Sequence, residues 1–201
     1  MFNETTFQII AILLFAILAT IGFSHRLRAA KAKDTINRRA EGVSLMILLR
    51  LFGLGTWAGL LTYMVNPEWM EWASMGLPVW ARLSGAAAVA VGLPLIYWMF
   101  SSLGANVTDT VTIRKGHQLV MHGPYHWIRH PMYTFTLLIF IGFCLLTGNW
   151  FIGLMGMAAL IMLGIRTPME EARLVEKFGD EYSSYAAHTG RFFPRIERAK
   201  T

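Results

Sequence analysis

The chain has 201 residues, 55% of them hydrophobic, and its 18 lysines and arginines against 12 acidic residues give a net charge of +6. Soluble domains average roughly 45–50% apolar residues, so this composition, with a mean hydropathy of +0.45, places the chain among integral membrane proteins. A nucleic-acid partner is disfavoured despite the charge, because the basic residues occupy short segments between long apolar runs, where membrane topology accounts for them.

A bilayer-crossing helix needs about 20 mostly apolar residues, with about 17 as the lower end. Stretches that meet or approach this length lie at 7–24, 43–65, 79–100, 131–147 and 150–165. The first follows a start without the basic run of a cleavable signal, so it is expected to persist as a helix. The segment after it, HRLRAAKAKDTINRR, is strongly basic. NPEWMEWASMGLP, after the second run, has two glutamates, no lysine or arginine, and tryptophans suited to a membrane interface. By the positive-inside rule, residues 25–42 face the cytoplasm, and the N-terminus and residues 66–78 lie outside. Arg50 sits inside the second run, where it either snorkels its long stem to the headgroups or makes a functional contact with a substrate. Arg82 lies near an end of the third run and is expected to snorkel.

Alternation puts residues 101–130 and the tail 166–201 in the cytoplasm. His117, His122, His126 and His130 invite a metal reading, the last two at the i, i+4 spacing of one helix face. Pro131 opposes helical geometry at His130, and a membrane di-iron oxidase needs several separate histidine boxes that this chain lacks. No metal site is expected. Gly123-Pro124 marks a turn. The runs 131–147 and 150–165, joined by Gly148 and Asn149, predict a tight helical hairpin. Cys144, the single cysteine, falls within the first of them and reads as a small buried apolar side chain. Thr167-Pro168-Met169-Glu170 has the form of a capping box with proline at the first helical position, so a new helix is expected to begin there. Leu174 and Phe178, at i, i+4, would pack that helix down and Gly179 would end it.

The run GHQLVMHGPYHWIRHPMY, followed after the hairpin by RTPMEEARLVEKFGDEYSSY, resembles the isoprenylcysteine carboxyl methyltransferase family and its phospholipid-methyltransferase relatives. Those proteins carry a segment like H-x-L-V…G-x-Y…R-H-P-x-Y, then a hydrophobic hairpin, then a glutamate-rich helix with F-G-x-E-Y. The likeness covers residues 104–194. It implies an all-α integral membrane enzyme of about five transmembrane helices in one domain, 1–201, with helices 1–3 in 1–103. The cofactor-binding and catalytic region is then 104–201, comprising the hairpin 131–165 and a helical tail, 166–201, that closes a cytoplasmic site. The cofactor implied is S-adenosylmethionine, held without a Rossmann domain by His117, Gln118, Leu119, Val120, Tyr125, His130, Pro131, Met132, Tyr133 and Glu170.

Arg166 matches a family arginine associated with the substrate, which makes it the implied catalytic and substrate-binding residue. The implied acceptor is lipid-like, the carboxylate of an isoprenylcysteine-type substrate, with a phospholipid amine as the alternative. The sequence departs from the family pattern in two places. Its glutamate run is shortened to Pro168-Met169-Glu170-Glu171, and the loop DTVTIRKG lacks a glutamine that some members place there. The residue types suit a sulfonium cofactor. Tyrosine rings attract a cation over their faces, Glu170 can take an amine or ribose hydroxyls, and imidazoles can donate to oxygens. A nicotinamide-dependent sterol or enone reductase shares a related R-H-P-x-Y segment but uses a larger bundle than 201 residues allow. A non-enzymatic membrane scaffold would need only the apolar hairpin and basic loops.

Overall fold

A computed structural model describes residues 2–30, 43–104 and 119–195. These form six α-helices: α1 Glu4–Ala30, α2 Val43–Val65, α3 Val79–Leu103, α4 Pro131–Thr147, α5 Trp150–Phe178 and α6 Asp180–His188. Short 3₁₀ turns occupy Pro67–Ala73 and Gly123–His126. Stretches of α1, α2, α3 and α5 are long and apolar enough to cross a membrane. The 17 residues of α4 rise only about 25 Å at 1.5 Å each, somewhat short of a hydrocarbon core of about 30 Å.

The bundle is built on α3 and α4. Val89, Leu93 and Ile96 on α3, and Ile139, Phe143 and Leu146 on α4, are buried. Both sets repeat at i, i+4, i+7, the period that lines one helical face. Phe7 and Ala11 of α1, Leu60 and Tyr63 of α2, and Ile152 of α5 complete the core. Ile9, Leu13 and Ile17 on α1 and Leu51, Leu54 and Leu61 on α2 remain exposed, as expected of helix faces whose solvent is lipid.

The hairpin between α4 and α5 is made by the two residues that join the apolar runs. Gly148 closes α4 in the left-handed conformation, φ 60°, which glycine adopts without steric cost. Asn149 caps α5 by accepting from the Ile152 amide at 3.2 Å and donates its own amide to the Met70 carbonyl at 3.1 Å.

Two expectations are corrected. No new helix begins at Thr167. α5 runs unbroken from Trp150 to Phe178 with Pro168 inside it, and the Thr167 hydroxyl donates back to the Leu163 carbonyl at 3.2 Å instead of capping a new first turn. Membrane helices tolerate such a proline because neighbouring helices and hydroxyl side chains satisfy the freed backbone. Gly179 does end the helix, and α6 follows at once.

Arg82, in turn, does not snorkel. It forks onto Glu4 at 2.6 and 2.8 Å, donates to the Leu146 carbonyl at 2.9 Å and to the Tyr63 hydroxyl at 2.8 Å, and lies 3.9 Å from the Phe7 ring centroid. One guanidinium thus ties α1, α2, α3 and α4 together at the end of the bundle where α1 starts. A buried donor fork gains more from fixed carbonyl and carboxylate partners than from reaching for headgroups.

Candidate functional site

At the opposite end, where α3 stops and α4 starts, lies a cleft of about 810 Å³ with its open mouth included. Leu103 of α3, Leu119, Val120, Tyr125, Arg129 and His130 of the connecting segment, and Pro131, Met132 and Tyr133 of the first turn of α4 form one side. Arg166, Glu170 and Leu174 on α5 and Tyr182 and Tyr185 on α6 form the other.

Local chemistry explains why the connecting segment presents its rings here. Gly123 turns the chain at φ 62°, and Pro124 follows in the 3₁₀ turn. Pro131 takes the first helical position of α4, where a missing N–H costs nothing. His130 just before it is held out of helical geometry at φ −123°, ψ 61°, as the residue preceding a proline tends to be. The His130 and Tyr133 rings stack at 5.4 Å with 10° between their planes. Tyr133 donates its hydroxyl to Glu170 at 3.1 Å, drawing that carboxylate to the cleft wall.

Glu171, the next residue along α5, is enclosed by two arginines and a histidine. Arg129 meets it at 3.0 Å, His130 Nε2 at 3.2 Å, and Arg191 through a short contact. Arg129 also donates to the carbonyls of Ala186 and Thr189. The backbone amides of Arg129 and His130 donate to the carbonyls of Gly190 and Arg191 at 2.8 and 3.0 Å, and the Thr134 hydroxyl donates to the Phe192 carbonyl. These bonds strap residues 189–192 along the segment that precedes α4. On α6, burial pushes the Tyr185 phenol up to about 12, against the pull of the Arg129 guanidinium, and burial with the Glu171 carboxylate raises Tyr182 further. Both are therefore hydroxyl donors at neutral pH.

The family model described as phospholipid methyltransferase matches residues 80–181, half of the chain and all of the cleft-lining residues but Tyr182 and Tyr185 of α6. The chain belongs to the phospholipid methyltransferase family. It is 30% identical over 124 residues to a protein-S-isoprenylcysteine O-methyltransferase of Tribolium castaneum, covering 60% of this chain and 44% of that one. It is 28% identical over 143 residues to the human protein of the same name, covering 66% and 50%. The chain thus spans half or less of the length of these curated relatives. A solved structure of the eukaryotic intramembrane Ras methyltransferase, isoprenylcysteine carboxyl methyltransferase, superposes with a TM-score of 0.55 at 21% identity, over 95% of this chain and 70% of that one. That likeness establishes a shared all-helical membrane fold.

Within the family frame, Leu119, Val120, Tyr125, His130, Pro131, Met132, Tyr133, Arg166 and Glu170 all line the one cleft. His117 and Gln118 lie outside the described residues. Arg50 is exposed on α2 and is not among the cleft residues. Sequence reasoning passed over Arg129, although it stands inside R-H-P-M-Y, and the Tyr182–Tyr185 pair, whose i, i+3 spacing marks one face of α6. Glu171 was noted only as the end of the shortened glutamate run, and Arg191 carried no signal of its own. Among the described residues, no three His, Cys, Asp or Glu side chains gather as a group that could hold a metal ion.

Proposed function

We propose that this protein is a membrane methyltransferase that takes its methyl group from S-adenosylmethionine and passes it to a lipid-like acceptor, the carboxylate of an isoprenylcysteine-type substrate. The observation that carries the reading is the convergence of nine residues, from the 119–133 segment and from α5, on one cleft beside the strapped tail.

The lining suits that cofactor. Tyr125 and Tyr133 offer ring faces to a cation, Glu170 offers a carboxylate to an amine or hydroxyl, and Leu103, Leu119, Val120 and Met132 offer apolar walls to a base. The buried Tyr182 hydroxyl, which has no partner among the described residues, is a polar group that a ligand can complete. When bound, S-adenosylmethionine supplies a methyl carbon made electrophilic by its sulfonium charge.

Arg166 is 5% exposed at the cleft wall, and its role in this reading is to hold the acceptor's anion in line with that carbon. An acceptor carboxylate is ionised at neutral pH and needs no general base. Fixed positioning of two reactants can contribute several kcal/mol toward the barrier. The basic loop 25–42 sets the orientation: cleft and tail cytoplasmic, N-terminus outside. The family description favours a second acceptor, a phospholipid amine, with Arg166 holding the phosphate.

The test is incubation of the purified protein with methyl-labelled S-adenosylmethionine and a panel of isoprenylcysteine analogues and phospholipids. A base-labile methyl ester is the expected product. A base-stable N-methyl product would move the acceptor to the phospholipid, and no transfer to any lipid would overturn the reading.

A further inference from the structure

Two of the tyrosines that line the cleft have named partners. Tyr133 gives its hydroxyl to Glu170, and Tyr185 gives its hydroxyl to the Tyr125 carbonyl at 2.5 Å. Tyr182 differs. It stands one turn before Tyr185 on α6 and is 2% exposed, yet its hydroxyl is buried with no hydrogen-bond partner among the described residues. The ring has a structural use, an edge contact with Tyr185 at 6.0 Å between centroids. The oxygen has none. A hydroxyl taken out of water without a new partner is a net cost to folding, and phenylalanine would keep the ring while removing that cost.

The neighbours narrow what can complete it. Glu171 and Arg129 are the strongest charged influences on Tyr182, with Glu170 weaker. The Glu171 oxygens already accept from Arg129, His130 and Arg191. Arg129, itself on the cleft wall, makes its bonds to Glu171, Ala186 and Thr189 through Nε and Nη1, and none of these uses Nη2. A phenol donor and a guanidinium lining one cleft suit an anionic oxygen, since hydrogen bonds to charged acceptors are the stronger kind.

We propose that Tyr182 contacts the molecule bound in the cleft: its hydroxyl, in the same cleft wall as Arg129, donates a hydrogen bond to an anionic oxygen of that molecule. This rests on the methyltransferase reading, which offers two sources for the oxygen, the α-carboxylate of the methyl donor and the anionic head of the acceptor.

The experiment compares the full chain and Tyr182→Phe in the same detergent. It measures the melting temperature without ligand, S-adenosylmethionine affinity by calorimetry without acceptor, and KM for the acceptor identified by the labelling panel. The expected result is an equal or higher melting temperature with a roughly tenfold loss in one of the two ligand readouts. Weaker calorimetric binding assigns the oxygen to the donor. A raised acceptor KM with donor affinity intact assigns it to the acceptor. Unchanged affinity and KM overturn the proposal, as does a lower melting temperature, which would reveal a structural partner for the hydroxyl. A wild-type chain that binds no S-adenosylmethionine fails the methyl-donor reading itself and takes this assignment with it.

Discussion

Glu170 and Glu171 are neighbours on α5, and the fold gives them different tasks. Glu170 is half-buried, engages Tyr133 and lines the cleft. Because α5 is continuous there, Glu170 caps no helix, and its carboxylate is free to serve a ligand. Glu170→Gln is therefore expected to weaken S-adenosylmethionine binding at least about tenfold, roughly 1.4 kcal/mol, with the melting temperature nearly fixed; calorimetry and a thermal melt on the same preparation check both. Normal binding in this variant would remove Glu170 from the site. Glu171 is instead a clasp. Glu171→Ala removes the acceptor shared by Arg129 and His130, whose side chains are 12% and 6% exposed, and leaving a largely buried donor without its acceptor costs about 1–3 kcal/mol. Arg191→Ala removes a partner whose side chain is 45% exposed, and surface pairs contribute about 1 kcal/mol or less. Denaturation should rank the two losses in that order, and equal losses would mean that the clasp does not hold the strap.

At the scale of elements, Pro168 separates the two descriptions of α5. As the first residue of a separate helix it would be helpful, whereas in mid-helix, exposed to solvent or lipid, it withholds a backbone bond. Pro168→Ala is expected to raise stability, by at most the ~3 kcal/mol that separates proline from alanine in a helix interior; a lower melting temperature would restore the capping reading. The ambiguity is physical, because Thr-Pro-x-Glu satisfies a capping box and also sits without clash inside a helix whose tertiary neighbours hold it. Local punctuation was legible where local energetics decide, at Gly148-Asn149, at Pro131 and at Gly179. The clasp was not legible. Glu171 meets partners 42 and 20 residues away, and no periodicity encodes that distance. Arg82 and Glu4, 78 residues apart, escaped for the same reason. The nine cleft residues were legible through a family motif that groups residues by their order in the chain; Tyr182 stood in the same motif as the last residue of F-G-x-E-Y but with no role attached to it, and Tyr185 belongs to α6, which no apolar period announced.

For the molecule as a whole, the two ends of the bundle have opposite chemistry. One carries the cleft, the strap and Arg129, Arg166 and Arg191. The other carries the Arg82–Glu4–Tyr63 knot and the Pro67–Ala73 turn, with Trp69 and Trp72 exposed as interface anchors are. Three helices, α3, α4 and α5, lie between that turn and α6. If each carries the chain across the bilayer, Glu71 and Ala187, both exposed, must face opposite compartments, with Ala187 on the cytoplasmic side that the basic loop 25–42 selects. In a Cys144→Ala background, Glu71→Cys should react with an impermeant maleimide from outside and Ala187→Cys only from the cytoplasmic side. The reverse pattern would overturn the orientation while leaving the crossings intact. Labelling of both from one side would be the more instructive failure, because it would mean an even number of crossings and would single out the 17-residue α4 as a helix that enters the bilayer without passing through it.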